Sequence, residues 1–341
     1  MYIFETTEQN NTKANDYETK ALLHLLNFRK DSKSIETFAI DCFNDVTGCN
    51  KKYTTLWDVQ SKNVQSLNPR KIGQSLVTLY SNFEHEFPFK HFIFLMPKLK
   101  EGYLKDENIK MFNFENFITE QKKKVRLGLS EEYKRRKNQL IDNEKLNTFL
   151  LKVIFVIGND SKVDYVKGIT NFKTSIIQDK FFEDIFNEIR DKQTALKNIC
   201  IHCEQINTPV EVKNTKKIFK RTDFDTLIIN RFIGYDLFKN LVQIPISFHS
   251  TIKDFDTETI KDTIQNANAE IAKILFDKNN KKFLWKIFEV LIETIKENSK
   301  DSSVEIYNKL LAKSISIPEC LSKLTIIYLI SLVKDGWQQE E

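Results

Sequence analysis

Glycine and proline are scarce, at 8 and 6 of 341 residues. That scarcity weighs against a Gly-rich all-β fold and against long flexible linkers, and it favours helix. Cysteine is scarce too. The five residues Cys42, Cys49, Cys200, Cys203 and Cys320 make an odd count, which does not suit a disulfide-stapled secreted domain. Met1–Asn15 is polar and holds no apolar segment of the secretory kind, so we expect a cytoplasmic protein with reduced thiols. A long hydrophobic run is also missing. The longest, Leu324–Val333, is about half of what a membrane span needs and is interrupted by Ser331, so it reads as a buried helix and no membrane partner is expected. No Walker A pattern is present, and ATP hydrolysis is not expected of this chain alone. Nor is there a large excess of one charge: the formal net charge is +5. Lysine abounds together with Asn, Ile and Phe, so its number alone carries no nucleic-acid message, and only local clustering counts.

What is present is core material. Hydrophobic residues make up 41% and aromatic residues 12%, with 27 Phe, which excludes a disordered chain. The length predicts about two domains. Apolar spacing predicts a helix over Asp16–Phe28, started by Asn15 or Asp16. Ile35–Val46 reads as a strand, Thr47–Asn50 as a turn and Tyr53–Lys62 as a second strand, so that the two would form a hairpin. Asn68-Pro69 reads as an N-cap with proline at the first helical position, opening a helix that runs on through Phe83. His91–Met96 reads as a buried strand. Lys98–Asn147 is charged and helical in pattern. Phe149–Ile157 fits either a strand or a buried helix, and Phe181–Asn198 a helix. Asn207-Thr208-Pro209 reads as a domain boundary, which gives residues 1–207 and 208–341. Helical patterns then dominate over Thr257–Phe276, Lys282–Glu297, Val304–Ser314 and Cys320–Val333.

The chemistry concentrates in Trp57-Asp58-Val59-Gln60-Ser61-Lys62. Alternate residues of a strand share a face. Asp58, Gln60 and Lys62 then present a carboxylate, an amide and an ammonium on one side, and Asp45 at the end of the preceding strand joins them. A carboxylate with an amide or carbonyl oxygen suits a hard cation such as Mg²⁺ or Mn²⁺. A nearby lysine can hold a water and offset charge on a phosphate. The competing reading is an ordinary amphipathic hairpin with a solvated polar face.

Asp41-Cys42-Phe43-Asn44-Asp45-Val46 followed by Val59-Gln60-Ser61-Lys62 resembles the Asp…Gln-x-Lys signature of the PD-(D/E)xK nucleases. More narrowly, it resembles the double-stranded DNA endonuclease domain of anti-phage effectors, found in CBASS effectors and in the nuclease subunit of Lamassu systems. The resemblance covers residues 14–97 well and 98–205 loosely. It implies an α/β restriction-endonuclease-like core, a mixed sheet flanked by helices, followed by a mainly α-helical region for partner binding or oligomerisation. It implies a Mg²⁺- or Mn²⁺-dependent endodeoxyribonuclease in a bacterial cytoplasm. Asp45, Gln60, Lys62 and Glu18 would be catalytic. Asp45, Gln60 and Glu18 would hold metal, with Asp41 and Asp58 as further candidates. Gln in place of a second acid removes a charge from that site and leaves the number of metal ions open. The Lamassu likeness further implies an SMC-like ATPase subunit, a small accessory subunit, and a nuclease restrained until oligomerisation releases it. A CBASS-type sensing domain would need more chain than remains. The alternative is a non-catalytic DNA- or partner-binding adaptor with a degenerate nuclease fold, and a nuclease acting on RNA is a third reading.

Residues 121–137 hold eight cations and two anions. Lys122, Lys123, Lys124 and Arg126, and then Lys134, Arg135, Arg136 and Lys137, are candidate contacts for the DNA backbone, against the plainer reading of a solvated helix face. Cys200-Ile201-His202-Cys203 looks like half a zinc site, but no second pair exists to complete it. The apolar face over Ile317–Val333 is a candidate partner contact, or simply a buried terminal helix.

Overall fold

A mixed seven-stranded sheet organises the first part of the chain. The computed structural model describes residues 1–4, 16–64, 67–170, 172, 177–238, 244–277, 279–313 and 315–337. These fall into two units, Met1–Tyr165 with Phe186–Arg221, and Val166–Ile185 with Thr222–Glu341. In the first unit the elements follow the order β1 (Tyr2–Ile3), α1 (Asp16–Asn27), β2 (Ile35–Ile40), β3 (Val46–Asn50), β4 (Leu56–Ser61), α2 (Pro69–Ser75), α3 (Val77–Glu84) and β5 (Phe89–Met96). Next come β6 (Met111–Asn113), α4 (Thr119–Lys137), α5 (Asn143–Lys152), β7 (Val153–Ile157), α6 (Lys162–Thr170) as far as Tyr165, α7 (Asp179–Lys197) from Phe186 onward, β8 (Gln205–Ile206) and β9 (Ile218–Lys220). The strand order is β6-β7-β5-β4-β3-β2-β9, and β1 pairs with β8 apart from it. β4, β5 and β7 run parallel, and the remaining pairs are antiparallel. Among the described residues no helix is long and apolar enough to cross a membrane.

Several expectations change. Ile35–Val46 is not one strand: β2 ends at Ile40, and Asp41–Asp45 form the turn into β3. Asp41 closes that turn with a left-handed φ of 49° and its N–H on the Asp45 carbonyl. Thr47–Asn50 is therefore strand, not turn, and β2, β3 and β4 form a meander. Gly48 misled the sequence reading. It is a close-approach glycine: a Cβ there would lie 2.9 Å from an Ile35 methyl and 3.3 Å from Leu25 of α1. The helix opened by Asn68 starts as expected, with the Asn68 side chain accepting from Lys71 N–H and Pro69 following it. It divides at Leu76 into α2 and α3. Lys98–Asn147 is only partly helical, because β6 lies within it. Phe149–Ile157 is helix and strand in turn, since α5 ends at Lys152 where β7 begins. Asn15 and most of the Met1–Asn15 arm lie outside the described residues, as does Ser314; Tyr2–Ile3 are strand.

The boundary at 207/208 moves to Arg221. Thr208 caps a short 3₁₀ helix through a reciprocal box with Glu211, and β9 beyond it pairs with β2. Arg221 then closes the unit. Its buried guanidinium donates to the carbonyls of Leu26, Ser32 and Ile35 at 2.9, 2.5 and 2.7 Å.

In the second unit the long elements are helical: α8 (Arg221–Ile233, from Thr222 onward), α9 (His249–Ile252), α10 (Thr257–Leu275), α11 (Lys281–Glu297), α12 (Ser303–Ala312) and α13 (Lys323–Trp337). Ile326, Ile327, Leu329, Ile330, Leu332 and Val333 are all buried within it. Of the two readings for Ile317–Val333, a partner contact or a buried terminal helix, the burial of Ile326–Val333 favours the second. Gly336 lets α13 touch the backbone of Ile233, where a Cβ would approach to 2.4 Å.

Candidate functional site

The antiparallel register builds the site. Val46 pairs with Val59 and Thr47 with Asp58, which sets Asp45 opposite Gln60 at the end of the ladder. The Gln60 amide nitrogen donates to both Asp45 oxygens at 2.9 and 3.0 Å. The Ser61 N–H and hydroxyl both donate to Asp45 Oδ2 at 2.7 Å. Lys62 follows directly, its N–H on the Leu95 carbonyl of β5 at 2.9 Å. Asp45, Gln60 and Lys62 share the lining of a cleft of about 910 Å³. Of the row Asp58, Gln60 and Lys62 with Asp45, the structure brings Asp45, Gln60 and Lys62 to one cleft and leaves Asp58 out of it. Ser61, assigned by alternation to the other face, joins Asp45 because β4 ends there.

Burial pushes the Asp45 carboxyl above its ordinary range, while Lys62, the two Ser61 bonds and Lys197 pull it back. Glu18 of α1 does not line the cleft. It is buried, and its oxygens take the Lys197 ammonium at 3.0 and 3.2 Å. Burial and the nearby Asp45 charge raise it to about 7, against the pull of Lys197. Asp41 lines the cleft, and its Oδ2 accepts from Lys217 Nζ at 3.2 Å.

Asp58 is not part of an open polar face. It has no exposed surface and accepts from Asn82 Nδ2 at 2.7 Å and Thr47 Oγ1 at 3.0 Å, with Asn44 Nδ2 farther off at 3.5 Å. Burial raises it to about 7, opposed by these three donors. Asn82 also donates to the Phe43 carbonyl, and the Asn44 side chain accepts from Asp45 N–H. Asp58 therefore anchors the 41–45 turn from beneath.

The basic stretch of α4 divides. Arg135, Arg136 and Lys137 line the cleft, and Glu132 holds the two arginines at 2.6 and 2.8 Å. Those guanidiniums, working against partial burial, hold Glu132 down at about 2. Lys122, Lys123, Lys124, Arg126 and Lys134 are not in the lining. Lys122 pairs with Glu115 and Lys124 with Glu120, and Arg126 lies over the Phe114 ring. Two glycines fix where α4 ends. A Cβ on Gly73 of α2 would fall 2.0 Å from the Val125 carbonyl, and one on Gly128 of α4 2.0 Å from the Arg70 carbonyl, so the helices cross backbone to backbone. Arg70 and Glu131 pair across that crossing at 2.7 Å.

Sequence reasoning missed Asn44, Thr47, Asn82, Lys197 and Lys217. Asn82 lies on a helix face and Lys217 in an irregular segment, and no local pattern marked either. Cys200 and Cys203 are exposed, and no group of three or more His, Cys, Asp or Glu able to hold a metal occurs among the described residues. The hard side-chain oxygen donors at the cleft among the candidate ligands are the Asp45 carboxylate, the Asp41 carboxylate already held by Lys217 and, if its amide turns over, the Gln60 oxygen. That set is too small for a closed protein cage. It suits a Mg²⁺-type ion that keeps several waters and completes its shell on phosphate. No protein family, no curated protein and no solved structure matches the chain.

Proposed function

We propose that the first unit is a metal-dependent DNA endonuclease of the PD-(D/E)xK type, with the Asp45–Gln60–Lys62 end of the sheet as its active site. The observation that carries this reading is convergence. An acid from the β2–β3 turn, an amide from β4 and the lysine after it line one cleft, together with three cations at the end of α4. Asp45, with Gln60 turned to offer its amide oxygen, would hold Mg²⁺ or Mn²⁺, which supplies charge neutralisation at the phosphate and a more acidic water. The chain's own groups do the rest. Lys62 holds the attacking water and offsets the charge that builds on the phosphate. Ser61 fixes the Asp45 carboxylate through two donors, so that it does not reorganise during the reaction. Arg135, Arg136 and Lys137 hold the phosphate backbone without reading sequence. The role implied by the resemblance, effector of an anti-phage complex with an SMC-like ATPase and a small accessory subunit, extends this proposal. In it the chain would be restrained until triggered and released by oligomerisation.

The test is incubation of the purified chain with supercoiled plasmid and Mg²⁺ or Mn²⁺ over a protein concentration series, beside Lys62→Ala and Asp45→Asn. Cutting by the wild type alone is the expected result, with a steep concentration dependence if assembly activates it. Matched DNA and RNA duplexes identify the polymer. One observation favours the adaptor reading: Gln60 and Ser61 already satisfy Asp45 without a cation. An adaptor shows no Mn²⁺-dependent thermal stabilisation that Asp45→Asn removes.

A further inference from the structure

The cleft carries cations that neither the sequence motif nor the α4 cluster accounts for, and their supports are built in. Lys197 is the last residue of α7 and lines the same cleft as Asp45, Gln60 and Lys62. Its side chain is only 9% exposed, so it is no surface lysine. Three bonds lay this stretch of α7 against α1: Arg190 to Asp16 at 3.1 Å, Thr19 to Gln193 at 2.9 Å, and Lys197 to Glu18 at 3.0 Å. Positions 190, 193 and 197 recur at helical spacing, so one face of α7 is keyed to α1 and delivers Lys197 at its end. The Lys197 carbonyl accepts from Lys217 Nζ at 3.1 Å, and Lys217 Nζ also binds the Asp41 carbonyl at 3.1 Å. The turn before Asp45 and the end of α7 are thereby tied together. An ammonium has three N–H bonds, and the two Glu18 oxygens take two of them at most. That leaves at least one N–H beyond those Glu18 takes, on a residue that lines the cleft.

We propose that Lys197 is a further phosphate-binding group of the cleft, positioned for that role by Glu18, and that Glu18 serves this lysine instead of ligating a metal ion. The inference rests on the nucleic-acid reading of the cleft and deepens it. The ligand is a phosphodiester oxygen of the bound strand. Glu18 comes from α1 and Lys197 from the end of α7, so the lysine is held by a buried carboxylate that fixes its direction. A lysine on a free stem would have to order itself each time it met a phosphate.

The experiment measures binding of a short fluorescent DNA duplex to the full chain in EDTA, from roughly 50 to 200 mM salt, a range over which phosphate contacts show themselves. Lys197→Gln should weaken binding about tenfold at the low end and lower the salt slope by about 1, with Lys197→Arg restoring most of both. Glu18→Gln should weaken binding severalfold with the slope kept, and should leave Mn²⁺-induced thermal stabilisation as in the wild type, whereas Asp45→Asn removes it. Since a lone substitution in a buried pair can unfold the chain, Glu18→Gln with Lys197→Gln gives a neutral, hydrogen-bonded pair. That double variant should bind like Lys197→Gln. Wild-type affinity and slope in Lys197→Gln, or in the double variant, overturn the proposal while leaving the nuclease reading intact. So does loss of the Mn²⁺ response in Glu18→Gln. A wild-type chain that binds no duplex overturns both.

Discussion

Two ends of one polar row behave oppositely. Asp58 of β4 and Asp45, the turn residue that leads into β3, lie two steps apart in register on one side of the ladder, and burial raises both. Asp58 is closed in by Asn82, Thr47 and Asn44, all neutral donors. Asp45 is fixed by Gln60 and Ser61 but opens on a cleft that also holds Lys62. The same residue type is a structural anchor in one place and a candidate ligand in the other. What separates them is whether the surroundings complete the carboxylate or leave it a side for a cation and a phosphate.

The sharpest way to break the comparison is to make both residues amides. Asp45→Asn is expected to lower plasmid cleavage by on the order of 10³-fold or more, as loss of a central charge in a preorganised site does. Asp58→Asn is expected to stay within about tenfold, since its amide can accept from Asn82 and donate to the Thr47 hydroxyl. Asp58→Ala should unfold more readily by roughly 2–4 kcal/mol in chemical denaturation, because Asn82 and Thr47 are left buried without their acceptor.

The pH dependence of stability sharpens it further. Asp58 is raised to about 7 in the folded chain, so the native state keeps its proton where the unfolded chain has lost it. The stability it contributes is full below about pH 4 and declines as pH rises through about 7. Glu18, raised to the same value, acts in the same direction. Thermal unfolding across pH 4–8 should show a shallower decline in Asp58→Asn than in the wild type.

A parallel contrast exists along α4. Neutralising Arg135, Arg136 and Lys137 together should lower the salt slope of duplex binding by up to about 0.9 for each phosphate left without its cation. The same change at Lys122, Lys123 and Lys124 should lower it less, since none of the three lines the cleft. The smallest effect is on stability: Lys124→Gln should stay within about 0.5 kcal/mol, as an exposed i,i+4 pair warrants.

Much of this site was legible in the sequence because it is local. Asn68-Pro69 carried its own capping chemistry, and the two-residue spacing of Gln60 and Lys62 carries over from sequence to strand face. The 41–45 turn was not legible. Its left-handed residue is Asp41, not a glycine, while the one glycine nearby, Gly48, is needed for close packing under α1. The supports of the site were not legible either. Asn82 reaches Asp58 across 24 residues, and Lys197 reaches Glu18 across 179. The compact units divide at Arg221 and not at 207/208 for a related reason. β9 returns to the sheet edge beside β2 after a Thr-Pro sequence that looks like a linker but caps a 3₁₀ turn.

The most direct test is a crystal of the chain soaked in Mn²⁺ and measured for anomalous scattering. The account predicts a manganese peak against an Asp45 oxygen, with the Gln60 amide turned to offer its oxygen and Glu18 still on Lys197. Absence of a peak at Asp45, with the Gln60 nitrogen still on both carboxylate oxygens, would contradict it.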